Sequence, residues 1–180
     1  MLNGERPLGL YAACGPRYIG GWALGALAPA LSRGLEVCWV DAGNSFAAHH
    51  LARTAKRLGA DPKAALSRVL LARPFTAFQL EAMVREKLPD LAARMPVVVA
   101  EPLALFRDPD LSPREKEARR CFGRALEALA ALPTVLVLEV ERDEPLWREY
   151  WRRLEGAARA SARLESGKDG PGLKALERHG

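Results

Sequence analysis

The sequence predicts an α/β fold: a doubly wound, mainly parallel five-stranded sheet with helices on both faces. Three observations point there. Five short runs are almost continuously apolar rather than alternating, as in Val97-Val98-Val99 and Val135-Leu136-Val137-Leu138, the pattern of strands buried on both faces. Segments with the 3.6-residue spacing of amphipathic helices lie between them. Strand and helix then alternate along the chain, which with right-handed crossovers builds a parallel sheet wrapped on both sides.

Taken in order, strands are expected at Leu8–Cys14, Leu35–Val40, Arg68–Ala72, Pro96–Ala100 and Thr134–Val140. The intervening helices are expected at Trp22–Arg33, Ala47–Leu58, Thr76–Leu88 and Pro113–Leu132, with a last one over Pro145–Glu165. Ser45 is suited to cap the second helix and Gly59 to end it. Ser112 followed by Pro113 and Glu115 reads as a helix start with proline at the first helical position. Pro89 and Pro133 stop the third and fourth helices. The Gly-rich stretch Ser166–Gly172 marks the end of the domain, so residues 1–165 read as one domain and 166–180 as a flexible tail.

The bulk properties set limits on function. A chain of 180 residues with 49% hydrophobic and 27% charged residues is long enough for one well-cored domain. The longest apolar run, around Trp22–Leu31, is broken by Gly25 and Pro29 and is too short to span a bilayer. The start MLNGERPLG has no apolar stretch of the secretory kind, so the expected location is cytoplasmic. Cys14, Cys38 and Cys121 are odd in number and widely spaced; they fit neither a disulfide framework nor a zinc site, and read as small buried hydrophobes. The net charge of +5 is compatible with an acidic partner such as nucleic acid without requiring one.

The first strand runs into CGPRYIGGWALGALA, residues 14–28. Gly15 and Gly20 keep the glycine spacing of a G-x-x-x-x-G-K-[ST] phosphate loop in a strand–turn–helix context. Its lysine would neutralise phosphate charge and its hydroxyl would bind magnesium, but those positions are Gly21 and Trp22. A tight strand-to-helix turn with no ligand explains the glycines equally well.

The following block is more specific. Asp41 at a strand end, Asn44-Ser45-Phe46, Gly59-Ala60-Asp61-Pro62 and Ala72-Arg73-Pro74-Phe75 occur in an order that resembles the RecA/RadA recombinase ATPase core. The likeness extends weakly to PVVVAEPLALFRD, residues 96–108, where Glu101 stands at the Walker B carboxylate, and covers about residues 8–140 in all. It implies a RecA-like P-loop NTPase core, the fold that binds ATP in that family, but no cofactor is expected in this chain. Residue by residue it also implies loss: Gly21 for the lysine, Trp22 for the magnesium-binding hydroxyl, Gly43 for the water-activating glutamate, and Leu138-Glu139 for the nucleotide-sensing polar pair. Such losses remove charge stabilisation and the general base together. A vestigial nucleotide site would consist of Gly15, Arg17, Gly20, Gly21 and Glu101, with backbone amides and Arg17 as its only anion-binding groups.

Two other features carry candidate chemistry. Adjacent His49 and His50 on a helix point about 100° apart and do not face one ion together; no catalytic triad, metal motif or other nucleophile pattern is present. In DEPLWREYWRRLEGAARASARLE, residues 143–165, Trp147 and Trp151 are interleaved with Arg148, Arg152, Arg153, Arg159 and Arg163. Aromatics and arginines in that pattern suit stacked bases and phosphates; equally, they suit an amphipathic helix that packs its aromatics on a sheet and shows arginine to water. The resemblance implies a non-catalytic RecA-like protein that binds a protein partner, such as a recombinase or repair factor, or DNA. Alternatives are a DNA-binding module built on the Arg/Trp helix, and an ATPase completed by a residue supplied in trans.

Overall fold

The computed structural model describes residues 8–107, 114–167 and 170–178. The expected helix start at Ser112 and Pro113 lies outside them. Along the chain run β1 (Gly9–Gly15), α1 (Ile19–Ser32), β2 (Val37–Asp41), α2 (Ala48–Arg57), α3 (Pro62–Ser67) and β3 (Val69–Ala72). There follow α4 (Ala77–Glu86), α5 (Leu88–Ala92), β4 (Val97–Ala100), α6 (Pro102–Arg107), α7 (Glu115–Ala130), β5 (Thr134–Val140), α8 (Pro145–Ala157), β6 (Ala160–Gly167) and β7 (Gly170–Arg178). The α/β class is as expected.

The sheet itself differs from the expected five parallel strands: it has seven, in the order β3-β2-β4-β5-β1-β6-β7, and β7 runs antiparallel to the rest. The last expected helix ends at Ala157, where Ala158 turns extended and Arg159 N–H donates to Leu10 O, leading the chain into β6 beside β1. Ala160, Ala162 and Leu164 then alternate with Ser161, Arg163 and Glu165, a strand pattern hidden by helix-favouring composition. Residues 170–178, expected as tail, pair with β6 along its length. A strand edge left open by β1 offers backbone partners that outweigh local preference.

Helices α1–α3 cover one face of the sheet and α4–α8 the other, each face with its own core. Moves from β1 to β2 and β2 to β3 go one way across the sheet; those from β3 to β4, β4 to β5 and β5 to β6 go the other. Right-handed crossovers put oppositely directed moves on opposite faces, so this division follows from strand order. Local chemistry agrees in part. Gly59, at φ +72°, ends α2 as expected. Asp61 caps α3 by accepting from Lys63 N–H, with Pro62 in the first turn. Thr76 Oγ1 accepts from Gln79 N–H while Gln79 Oε1 accepts from Phe75 N–H, a reciprocal start for α4. Ser45, however, does not cap α2: the cap position is Ala47.

One buried acid ties α4 to α7. Glu81 accepts from Arg124 Nε and Nη2 at 2.6 and 2.8 Å, and from Cys121 Sγ at 3.0 Å. The guanidinium hydrogen bonds hold its carboxyl down at about 2 despite burial. Glu81→Gln is expected to cost about 1–3 kcal/mol. Because the folded value is depressed, the contribution is present above the ordinary 4.5 and lost as pH falls toward 2. Urea denaturation at pH 7 and pH 3 checks both statements: the variant's deficit should shrink at the lower pH.

Candidate functional site at the carboxyl edge of the sheet

Ligands of open α/β sheets bind beyond the carboxyl ends of the strands, where neighbouring strands send their connections to opposite faces. Here β1 leads into α1 on one face while its neighbour β5 leads into α8 on the other. Strand register brings four sequence-predicted positions to this edge: Gly15 opposite Val140, Asp41 opposite Ala100, Glu101 just beyond β4, and Glu139 next to the end of β5.

The loop after β1 is a turn of three exposed residues, Pro16, Arg17 and Tyr18. Ile19 N–H donates to Pro16 O at 2.9 Å, closing the turn, and α1 starts at once. Each glycine here has a packing partner within the chain. A Cβ on Gly15 would lie 2.8 Å from Leu164 Cβ, so this glycine lets β6 approach β1. A Cβ on Gly21 would meet the His50 ring at 3.2 Å, so this one lets α1 approach α2. Gly20 has ordinary clearance to Ser45 and Trp39. The Tyr18 hydroxyl is hydrogen-bonded to Ser166, which fastens the turn to β6. Trp22 is half-buried, in a groove with Tyr18, His50, Thr54 and Arg57.

The block that carries the recombinase resemblance is likewise satisfied internally. The Asp41 carboxylate is buried and accepts from Ser45 N–H at 2.7 Å, Phe46 N–H at 3.2 Å and Arg73 Nε at 3.0 Å. One side chain thereby shapes the 42–46 loop and anchors the end of β3. The order Asp, Asn-Ser-Phe, Ala-Arg is thus a structural network in this chain. Asn44, at φ +52°, supplies the left-handed turn within it.

Glu101 and Glu139 form the acidic part of the edge. Glu101 sits at φ +55°, rare for a non-glycine residue and more so before a proline, at a cost of about 1–3 kcal/mol. Its N–H donates to Leu138 O at 2.7 Å. The side chain lies over Gly43, where an added Cβ would be 2.6 Å from Glu101 Cβ. Glu101 therefore occupies the space that a larger residue at 43 would need. Glu139 is buried, and its Oε1 accepts from Leu103 N–H at 2.7 Å. Burial, reinforced by the Glu101 charge, pushes its carboxyl from 4.5 up to about 8 against the opposing pull of Leu103 N–H and Arg107. The Trp147 indole lies near enough to favour the charged form, although its N–H meets no partner in normal hydrogen-bond geometry.

The Arg/Trp segment divides by face. Trp147 and Trp151 are only 4% and 6% exposed and stack with parallel rings 5.5 Å apart, within the core that includes Tyr150 and Leu154. Neither presents a free ring face to a base. Of the arginines, Arg148 pairs with Asp143 at 3.1 Å and Arg163 with Glu141 at 2.8 Å. Arg153 lies 5.0 Å over the Phe122 ring, and Arg159 donates to Leu8 O at 2.9 Å, its stem covering Gly9. Arg152, exposed, donates to Arg148 O at 3.2 Å and lines a groove of about 790 Å³ with Arg142, Arg148, Arg163 and Glu155. Trp147 and Trp151 also line this groove, but only by their small exposed edges, so the amphipathic-helix reading describes the arrangement.

His49 and His50 lie with ring centres 4.6 Å apart, and burial and neighbouring positive charge hold His50 below its ordinary value. Among the described residues no group of three or more His, Cys, Asp or Glu could hold a metal ion, and no helix is long and apolar enough to cross a membrane. No protein-family model matches the chain, and a search of curated proteins finds no match either. The residues that close the edge and that the sequence did not read as such are Leu164 and Ser166 of β6, the first expected in a helix and the second at the start of the tail.

Two outcomes are expected. Gly43→Ala should destabilise by about 1–3 kcal/mol by overpacking, and adding Glu101→Gly should recover most of it by removing both the clash and the positive-φ strain; chemical denaturation of both proteins checks this. Separately, Glu139 binds its proton more tightly folded than unfolded, so stability should fall as pH rises from about 4.5 to about 8. The slope should approach at most about 1.4 kcal/mol per pH unit, and Glu139→Gln, which keeps an acceptor for Leu103 N–H, should flatten it.

Proposed function

We propose that the chain is a non-catalytic RecA-like scaffold, a pseudo-ATPase that works in the cytoplasm by binding a partner in recombination, repair or their regulation. The observation that carries this reading is the closure of the carboxyl edge by the chain's own groups. Gly15 is packed by Leu164, Gly21 by His50 and Gly43 by Glu101, and the turn between β1 and α1 is three residues long. A phosphate chain needs a loop long enough for its amides to surround it; a three-residue turn does not provide one, although Arg17 is exposed in it. The resemblance around Asp41 supports the RecA-like assignment; the seven-stranded mixed sheet departs from the five-stranded parallel core expected of it. Three buried free thiols, at Cys14, Cys38 and Cys121, suit a reducing compartment.

The partner is taken to be a protein. The Arg/Trp helix offers arginines largely committed to Asp143, Glu141, Phe122 and Leu8, with its tryptophans buried, so a base-stacking module is the weaker reading. An ATPase completed in trans would need a cation to enter an edge already filled.

Pure protein is expected to show no magnesium-dependent ATP turnover, and capture from native extract should retain a protein partner after nuclease treatment. ATP turnover that disappears in Gly21→Glu would overturn the non-catalytic reading. Partner capture abolished by nuclease, with salt-sensitive DNA binding by the pure chain, would favour nucleic acid instead.

A further inference from the structure

We infer that an acidic amphipathic helix of the partner docks in the groove between α1 and α2, a docking that rests on the protein-partner reading above. Charge is distributed unevenly along the chain. Residues 8–73 hold eight lysines and arginines against three acids, while residues 74–180 hold eighteen of each sign. The whole net charge of +5 therefore belongs to the stretch that forms β1–β3 and α1–α3. Of its three acids, Asp41 is buried against Arg73 and Asp61 caps α3, which leaves Glu36. Helix α2 contains no acid at all. Its exposed Arg53, Lys56 and Arg57 form no ion pair among the described residues, whereas Arg119, Arg124 and Arg148 on the other face each meet a carboxylate. Cations gathered without counter-charges raise the local potential and suit an acidic partner.

A groove of about 450 Å³ lies beside these cations, between α1 and α2, and no other element lines it. Gly21 and Gly25 of α1 face His50 and Thr54 of α2 across it. A Cβ at 21 would lie 3.2 Å from the His50 ring, while one at 25 would keep an ordinary 3.8 Å from Thr54, so the helices meet at Gly21 and leave room at Gly25. Trp22 and the exposed Ala26 stand on the α1 bank, and α1 carries no charged residue. Arg57 stands on the α2 bank, with Arg53 beside it: Arg53 Nη2 lies 3.5 Å from His50 Nδ1. One bank is apolar and the other cationic.

Such a pair of banks fits a rod that is apolar along one side and acidic along the other. Both banks are helices whose backbone groups are already bonded, so the groove offers an incoming chain side chains only. The incoming segment must then satisfy its own backbone, as a helix does, and be held by anchors at helical spacing. Arg53 and Arg57 are one turn apart, and acids one turn apart on the partner match them. A nucleic-acid strand would satisfy the α2 bank and leave its polar backbone against the α1 bank.

Fluorescence anisotropy with the full chain and a labelled synthetic helix tests the docking. The probe is a peptide of about 18 residues, five turns, with leucine at i, i+3, i+4 and i+7 spacing, glutamate flanking that stripe and alanine elsewhere. It should bind saturably at low ionic strength with a Kd on the order of 10 μM, and a scrambled peptide of the same composition should bind about tenfold more weakly. Arg53→Glu combined with Arg57→Glu, and separately Ala26→Glu, should each weaken binding about tenfold or more, with circular dichroism unchanged. Arg152→Glu, on the opposite face, should leave binding as it is. No saturable binding, equal binding of the scrambled peptide, or indifference to both sets of substitutions overturns the proposal; if one variant fails to fold, the other gives the answer. Tighter binding of a single-stranded oligonucleotide of equal charge, lost in the same variants, also overturns it and assigns the α2 bank to nucleic acid. Capture from native extract separates this docking from the reading it rests on. A nuclease-resistant partner held equally by wild type and the Arg53→Glu, Arg57→Glu protein keeps the protein-partner reading and removes the groove; no nuclease-resistant partner removes both.

Discussion

The pairing of β1 with β5 on one side and β6 on the other is the constraint on which the molecule depends. It makes the first strand central, so its outgoing helix must travel over one face while the helix after β5 crosses the other. That divergence creates a crevice at the end of β1, the position where α/β folds hold ligands. The same pairing then closes the crevice. Because β6 lies beside β1, Leu164 packs on Gly15 and Ser166 bonds Tyr18, leaving a short fastened turn where a phosphate would need a cradle.

The acids at this edge are balanced by structure rather than by a ligand. Asp41 accepts from two loop amides and Arg73, so both its oxygens are engaged within the chain. Glu139 is buried and raised to about 8, hence largely protonated at neutral pH, with its carboxyl fixed by Leu103 N–H. Glu101 carries backbone strain and fills the hollow over Gly43. Backbone strain concentrates at functional sites, and here its visible effect is to place the Glu101 side chain over Gly43.

Much of this was legible in the sequence. The continuous apolar runs at Val97–Ala100 and Thr134–Val140 read correctly as buried parallel strands, because burial on both faces leaves no polar alternation. Helix ends at Gly59 and Pro133 followed local backbone chemistry. Residues 160–178 did not, because Ala, Arg, Leu and Glu favour helix and the Gly-rich stretch suggested flexibility. What makes them strands is a free edge of β1, a tertiary fact. Ser45 as a helix cap failed because α2 starts only at Ala48, which puts Ala47 at the cap position and leaves Ser45 in the loop that Asp41 organises. Gly15 and Gly21 could be recognised as special positions, but whether a phosphate or a side chain required them depends on β6 and α2, which only the fold brings near.

The central claim is that the geometry of the edge, beyond the loss of individual side chains, excludes a nucleotide. Calorimetric titration of magnesium ATP into the folded double variant Gly21→Lys, Trp22→Thr tests it most directly, since that variant restores the lysine and hydroxyl of a phosphate loop. The account predicts no binding, because the turn stays three residues long and Leu164 and Glu101 stay in place. Saturable, magnesium-dependent binding by this variant would contradict it.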